Sequence, residues 1–153
     1  MAKDRIERDV YIGAPVSRVW SVVTGAEHVG VWFGNGEPAE IDLRPGGRIV
    51  FDHGDHGKLP ALVEQVREPN MFSFRWAATG AGGREPSMAN STLVEFLLEP
   101  EGEGMRLRVV ESGFALVIAE AGVIEARYKA NSAGWAQALT GLAKYAELEE
   151  PVG

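Results

Sequence analysis

One stretch near the end of the chain limits what the whole can fold into. Residues 125–149 contain no proline, and Tyr128, Asn131, Trp135, Leu139, Leu142 and Ala146 recur at spacings of three or four. That spacing is one face of a long helix, and an apolar stripe of that length has to be buried against another layer. The small residues Ala130, Ala133, Gly134 and Ala138 are expected to let the helix approach that layer closely. No other stretch reads as a second long helix, so the partner is expected to be a sheet.

The middle of the chain supplies the strands. Alternating or apolar segments at 39–43, 48–53, 59–67, 71–77, 92–98 and 105–111 are separated by Arg44-Pro45-Gly46-Gly47, Gly54-Asp55-His56-Gly57, Glu68-Pro69-Asn70 and the hairpin-like run 99–104. Glycine, proline and asparagine at those places are turn chemistry. Residues 78–90, with Gly80, Gly82, Gly83 and Pro86, read as a flexible loop. Ahead of these strands, residues 6–12 alternate as a first strand. Pro15 then opens a short helix over 15–24 carrying Val16, Val19, Trp20 and Val23 on one side, and a second short helix runs through 27–33. Consecutive strands joined by tight turns form an antiparallel meander. The pattern predicts an α+β protein whose curved sheet wraps one long helix and leaves an elongated space between them.

Composition removes several kinds of function. The 153 residues include no cysteine, which excludes disulfides, zinc–thiolate sites, iron–sulfur clusters and thiol nucleophiles. A net charge of −7 gives no electrostatic footprint for nucleic acid or for anionic membrane surfaces. The charged start, Lys3-Asp4-Arg5 and Glu7-Arg8-Asp9, is not a secretory signal, and no apolar run approaches the roughly 20 residues that span a bilayer. A cytoplasmic protein, monomeric or homodimeric, is the expectation.

In order along the chain stand Ala14-Pro15-Val16-Ser17-Arg18-Val19-Trp20, Trp32-Phe33-Gly34, Arg44-Pro45-Gly46-Gly47-Arg48, Val63 through Pro69, and Phe72-Ser73-Phe74-Arg75-Trp76. Thr92-Leu93-Val94-Glu95-Phe96, residues 106–114 and Asn131-Ser132-Ala133-Gly134-Trp135 complete the series. Together these motifs resemble the START-like (SRPBCC) superfamily, and within it the bacterial proteins similar to the C-terminal domain of the Hsp90 ATPase activator. The resemblance implies a helix-grip (START/Bet v 1-like) fold over one domain, residues 1–153. It also implies a cavity between sheet and C-terminal helix, used in relatives for apolar or aromatic ligands. Chaperone activity is not expected to carry over, because the eukaryotic activator's further N-terminal domain has no counterpart in this sequence. The glycine-rich stretch at 78–90 departs from many relatives at the rim of the pocket.

The candidate ligand-binding residues follow from that cavity: Trp32, Phe51, His53, Phe74, Trp76, Val109, Glu111, Tyr128, Asn131 and Trp135. Leu107, Val109 and Glu111 share one strand parity, so Glu111 either points inward as the polar end of the cavity or lies wet at the strand's end. Asn131, on the helix stripe, either bonds a neighbouring strand or faces a ligand. His53 and His56 sit on a predicted turn with no third histidine near in sequence, so no metal site is assigned. No Gly-x-Ser-x-Gly elbow is present, and Gly80 to Gly83 lacks the lysine and following helix of a phosphate loop. No catalytic residue and no cofactor is assigned. A non-enzymatic binder of a small hydrophobic or amphipathic molecule leads. A cyclase- or hydrolase-like enzyme using the same cavity, or a chaperone-linked interaction protein, are the alternatives.

Overall fold

The computed structural model describes residues 5–33, 39–52, 58–77, 90–117 and 120–148. Strand β1 (Arg5–Ile12) buries Ile6 and Ile12, while Arg8, which shares their parity, is exposed between them. Helix α1 (Val16–Thr24) starts where the Pro15 carbonyl accepts the N–H groups of Arg18 and Val19 at 3.0 and 3.1 Å. It turns Val19, Trp20, Val22 and Val23 inward. Helix α2 (Ala26–Phe33) follows directly and buries Val29 and Gly30.

The remaining strands are β2 (Glu40–Ile41), β3 (Arg48–Asp52), β4 (Lys58–Arg67), β5 (Met71–Ala77), β6 (Ser91–Glu101) and β7 (Gly104–Ser112). They form one curved antiparallel sheet in the order β1-β7-β6-β5-β4-β3-β2. The sequence meander is therefore real, with β1 added at the β7 edge. Between β3 and the preceding turn, Gly47 cannot carry a side chain, since a Cβ there would lie 2.1 Å from the Asp42 carbonyl oxygen. The corner is pinned to β4 by Gly46 N–H donating to the Val63 carbonyl at 2.9 Å and Val63 N–H to that of Gly47 at 2.8 Å. A register shift between Val63 and Gln65 in β4 is the local irregularity that bends a sheet.

Helix α3 (Ala121–Glu147) closes the fold. It begins and ends earlier than the 125–149 read from the stripe, because the Glu120 carbonyl already accepts Val123 and Ile124 N–H at 3.0 and 3.1 Å. Three contacts tie it along β1 in chain order: Tyr128 Oη to the Arg5 carbonyl (2.7 Å), Arg8 Nη2 to Ser132 Oγ (2.8 Å), and Gly13 N–H to Glu147 Oε2 (2.7 Å). The two tied spans cover nearly equal lengths, about 26 Å of strand and about 28 Å of helix, so strand and helix run side by side without drifting.

Trp135, Leu139, Leu142, Ala143 and Ala146 form the buried face of α3. Ala130, Ala133 and Gly134 are exposed and do not mediate its approach, whereas Ala138 is half-buried against the core. At about 100° per residue, a face centred on Trp135 sends its two preceding neighbours outward.

The β6–β7 hairpin is also tighter than the sequence suggested. β6 continues through Pro100, opposite Met105, to Glu101, opposite Gly104. Leu98 N–H donates toward the β5 side, to the Asn70 carbonyl at 2.7 Å, so Pro100 faces the same way. β5 has already ended there with Met71 opposite Leu97, and the missing proline N–H costs no ladder bond. A short 3-10 helix, Phe114–Leu116, was not foreseen. It starts at Gly113, whose φ of 96° is open mainly to glycine, and it buries Phe114 completely.

Candidate functional site

Strand parity carries the site. Phe72, Phe74 and Trp76 point inward from β5, Thr92, Val94 and Phe96 from β6, and Leu107, Val109 and Glu111 from β7. Phe51 joins them from β3, Trp32 and Phe33 from α2, and Trp135 from α3. Between these elements lies an apolar space lined by Val23, Val29, Ile41 and Ile49 together with rings from α2, β3, β5, β6 and α3. Its free volume is about 10 Å³, room for about one water. The aromatic side chains fill the rest.

Glu111 has none of its surface exposed and is the polar centre beside this space. Its Oε2 accepts Trp76 Nε1–H at 2.9 Å and Thr92 Oγ1–H at 2.5 Å. Its Oε1 accepts Trp135 Nε1–H at 2.8 Å, and Asn131 Nδ2 lies 3.1 Å from both oxygens. A carboxylate offers about four lone-pair sites, and these donors occupy them. None of the four donors carries charge. The group therefore has no acceptor capacity to spare, and it fixes two indole rings from opposite layers of the fold.

Those rings belong to a larger assembly. Trp76 and Trp135 stack with centroids 5.5 Å apart and planes 24° apart. Phe33 lies 5.6 Å from Trp135 at 3° and 6.1 Å from Trp76 at 23°. Phe51 meets the Phe33 ring edge-on at 5.1 Å and 87°. Trp32 lines the same space and ties its indole N–H to the Val22 carbonyl at 2.8 Å. Such separations and angles are the offset-stacked and edge-to-face arrangements that aromatic quadrupoles favour.

Of the residues chosen from sequence, Trp32, Phe51, Phe74 and Trp135 line the space. Trp76 and Glu111 are buried next to it, and Val109 is buried on β7 opposite Phe96. Glu111 points inward, as one of its two readings had it, and Asn131 bonds a neighbouring strand through that carboxyl group. Tyr128 instead turns to the Arg5 carbonyl and sets its ring 5.2 Å from Phe114. His53 lies outside the described residues, as does most of the 78–90 loop. Sequence reasoning missed Thr92, whose parity with Val94 and Phe96 was the available signal, and Phe33, passed over for its neighbour Trp32. Among the described residues no cluster of histidine and carboxylate side chains could hold a metal ion, and no helix is long and apolar enough to cross a membrane.

The profile of the family described as "Activator of Hsp90 ATPase homolog 1-like protein" matches residues 13–147. The chain belongs to that family. No curated protein matches it. Among solved structures, DynU16, from the dynemicin biosynthetic locus, is 25% identical with a TM-score of 0.75 over 98% of this chain. The match covers 49% of DynU16, so this family member spans about half that protein's length. MLL2253 from Mesorhizobium loti is 20% identical with a TM-score of 0.76, covering 96% of this chain and 99% of that one. The Aha1 dimer from Colwellia psychrerythraea, solved in solution, is 18% identical with a TM-score of 0.73, covering 99% and 100%. The latter two likenesses are of fold.

Proposed function

We propose that this chain binds a small hydrophobic or amphipathic molecule in the space between its sheet and α3. The observation that carries the reading is the lining itself, which is apolar, with the indole N–H groups of Trp32 and Trp135 already committed to Val22 and Glu111. Apolar walls with few polar groups are what small-molecule sites consist of. The saturation of Glu111 weighs against acid–base chemistry, because a proton-transferring group has to reach a reacting atom. The space as it stands holds about one water, so a guest enters by displacing side chains. DynU16's place in a biosynthetic locus is compatible with a small-molecule partner. The dimer of the Colwellia relative is compatible with a monomer or homodimer here.

The test is a thermal-shift screen of fatty acids, flavonoids and polycyclic aromatics against the purified chain. A ligand at 100 times its dissociation constant adds about 2.7 kcal/mol by mass action, a shift large enough to read. A saturable rise with at least one class supports the reading, and none across the set contradicts it.

A further inference from the structure

We propose that Glu111 decides which apolar guests the space under α3 takes: uncharged or amine-bearing ones, and not carboxylates such as fatty acids. This rests on the binding reading above and names its ligand class.

Glu111 is the one charged side chain that is buried among the described residues. Its partners suit an ionised group. The Trp76 indole donates to Oε2 and the Trp135 indole to Oε1, at 2.9 and 2.8 Å, and an indole N–H can do nothing but donate. Thr92 and Asn131 add two more neutral donors. Such dipoles hold a negative charge in place without cancelling it. No cation is among the partners of Glu111, so this part of the interior keeps a whole negative charge.

Trp135 carries that charge to the guest's side, because its nitrogen bonds Glu111 and its ring lines the space. Little water fits there to screen it, and a charge in such surroundings is felt more strongly than in solution. The walls act with the same sign. Rings of Trp32, Phe51, Phe72, Phe74, Phe96 and Trp135 line the space, and the negative faces of aromatic rings attract cations and repel anions. A carboxylate guest would also need donors. The only side-chain N–H groups among the described lining residues, those of Trp32 and Trp135, are committed to Val22 and Glu111. An anion's lost hydration thus goes uncompensated. An ammonium group loses hydration too, but the ring faces and the nearby carboxylate offset that loss.

Calorimetric titration at neutral pH with three probes on one naphthalene body tests this: 2-naphthalenemethanol, 2-naphthylmethylammonium and 2-naphthoate. The two ions are both strongly hydrated, so the ratio of their affinities reads the sign of charge that the space prefers. Wild type should bind the alcohol saturably, and the ammonium about tenfold or more tighter than the naphthoate. Glu111→Gln should lower that ratio by about tenfold. Glu125→Gln removes the same charge from an exposed position on α3 and should leave the ratio unchanged. Should Glu111→Gln not fold, salt decides on the wild type alone. A preference set by surface charge fades between about 0.15 and about 0.5 M sodium chloride, whereas one set by a buried carboxylate persists. Naphthoate binding as tightly as the ammonium, a ratio that collapses in salt, or a ratio moved no more by Glu111→Gln than by Glu125→Gln would overturn the inference. With the alcohol still bound, the binding reading would stand. Saturable binding of none of the three probes would overturn both.

Discussion

Trp76 on β5 and Trp135 on α3 donate to different oxygens of one carboxyl group, Glu111, at 2.9 and 2.8 Å. The bond pair joins the sheet to the helix laid over it, and it sets both indole planes. The site is thus organised by a polar group that is itself inaccessible. A side chain that reads from sequence as an anchor for ligand is placed as the clamp on the wall around it.

Removing that clamp should cost stability. Glu111→Gln replaces one acceptor oxygen by an amide N–H, which then faces an indole, hydroxyl or amide donor. Each buried donor left unsatisfied costs about 1–3 kcal/mol. Glu111→Ala abandons all the donors and should cost more than Glu111→Gln. Urea unfolding of the two variants checks both the loss and the order. A Glu111→Gln protein as stable as wild type would show that the hydrogen bonds do not hold the layers together.

The helix stripe gives a second comparison. Leu139 is 2% exposed, and Leu139→Ala should cost roughly 2–5 kcal/mol. Lys144, exposed on another face of α3, should tolerate Lys144→Ala within about 0.5 kcal/mol. Equal small effects in urea would mean that α3 is rotated from the orientation described.

Two glycines should respond with opposite signs. A Cβ at Gly134 meets nothing within 4 Å, so Gly134→Ala in the middle of α3 should stabilise by about 0.5–1 kcal/mol. Gly113 holds a φ of 96°, and Gly113→Ala should destabilise by about 1–2 kcal/mol. Thermal melting of both variants reads the signs directly.

How much of this was legible in the sequence depended on whether the information was local. The stripe of α3 and the inward parity of Val109 and Glu111 needed only spacing. Which donors reach Glu111 depends on pairing between strands distant in sequence, such as Val94 opposite Glu111, and periodicity does not encode that register. Ala133 and Gly134 were placed on the wrong side because small size says what a helix tolerates, not which way it faces. Trp32 and Phe33 are adjacent, and alternation or helical spacing picks one of such a pair. At the end of α2 both face inward, and the sequence offered no sign of it.

Arg106 allows a prediction in pH. Its Nε and Nη2 each lie 3.0 Å from an oxygen of Glu101, and its Nη1 lies 3.0 Å from Asp9 Oδ1. The hydrogen bonds to Arg106 hold the Glu101 carboxyl below the usual glutamate range. A carboxyl lowered in the folded state contributes stability above its unfolded value, and the contribution is lost as pH falls through the folded value. The pair is solvent-exposed and its effect small. Side-chain carboxyl NMR should show Glu101 titrating below an ordinary glutamate, and returning upward in Arg106→Gln. An unchanged midpoint in the variant would contradict the pairing.

The most direct test of the account follows the four tryptophan indole N–H resonances while wild-type protein is titrated with an apolar ligand that raises its melting temperature. Trp32 and Trp135 line the space, whereas Trp20 packs behind Phe72 at 5.9 Å. The predicted result is that Trp32 and Trp135 shift together with a single dissociation constant, that Trp20 moves less, and that the Trp76 and Trp135 protons stay protected by Glu111. Saturable binding that leaves Trp32 and Trp135 unmoved would place the ligand elsewhere and contradict the assignment of the space under α3 as the binding site.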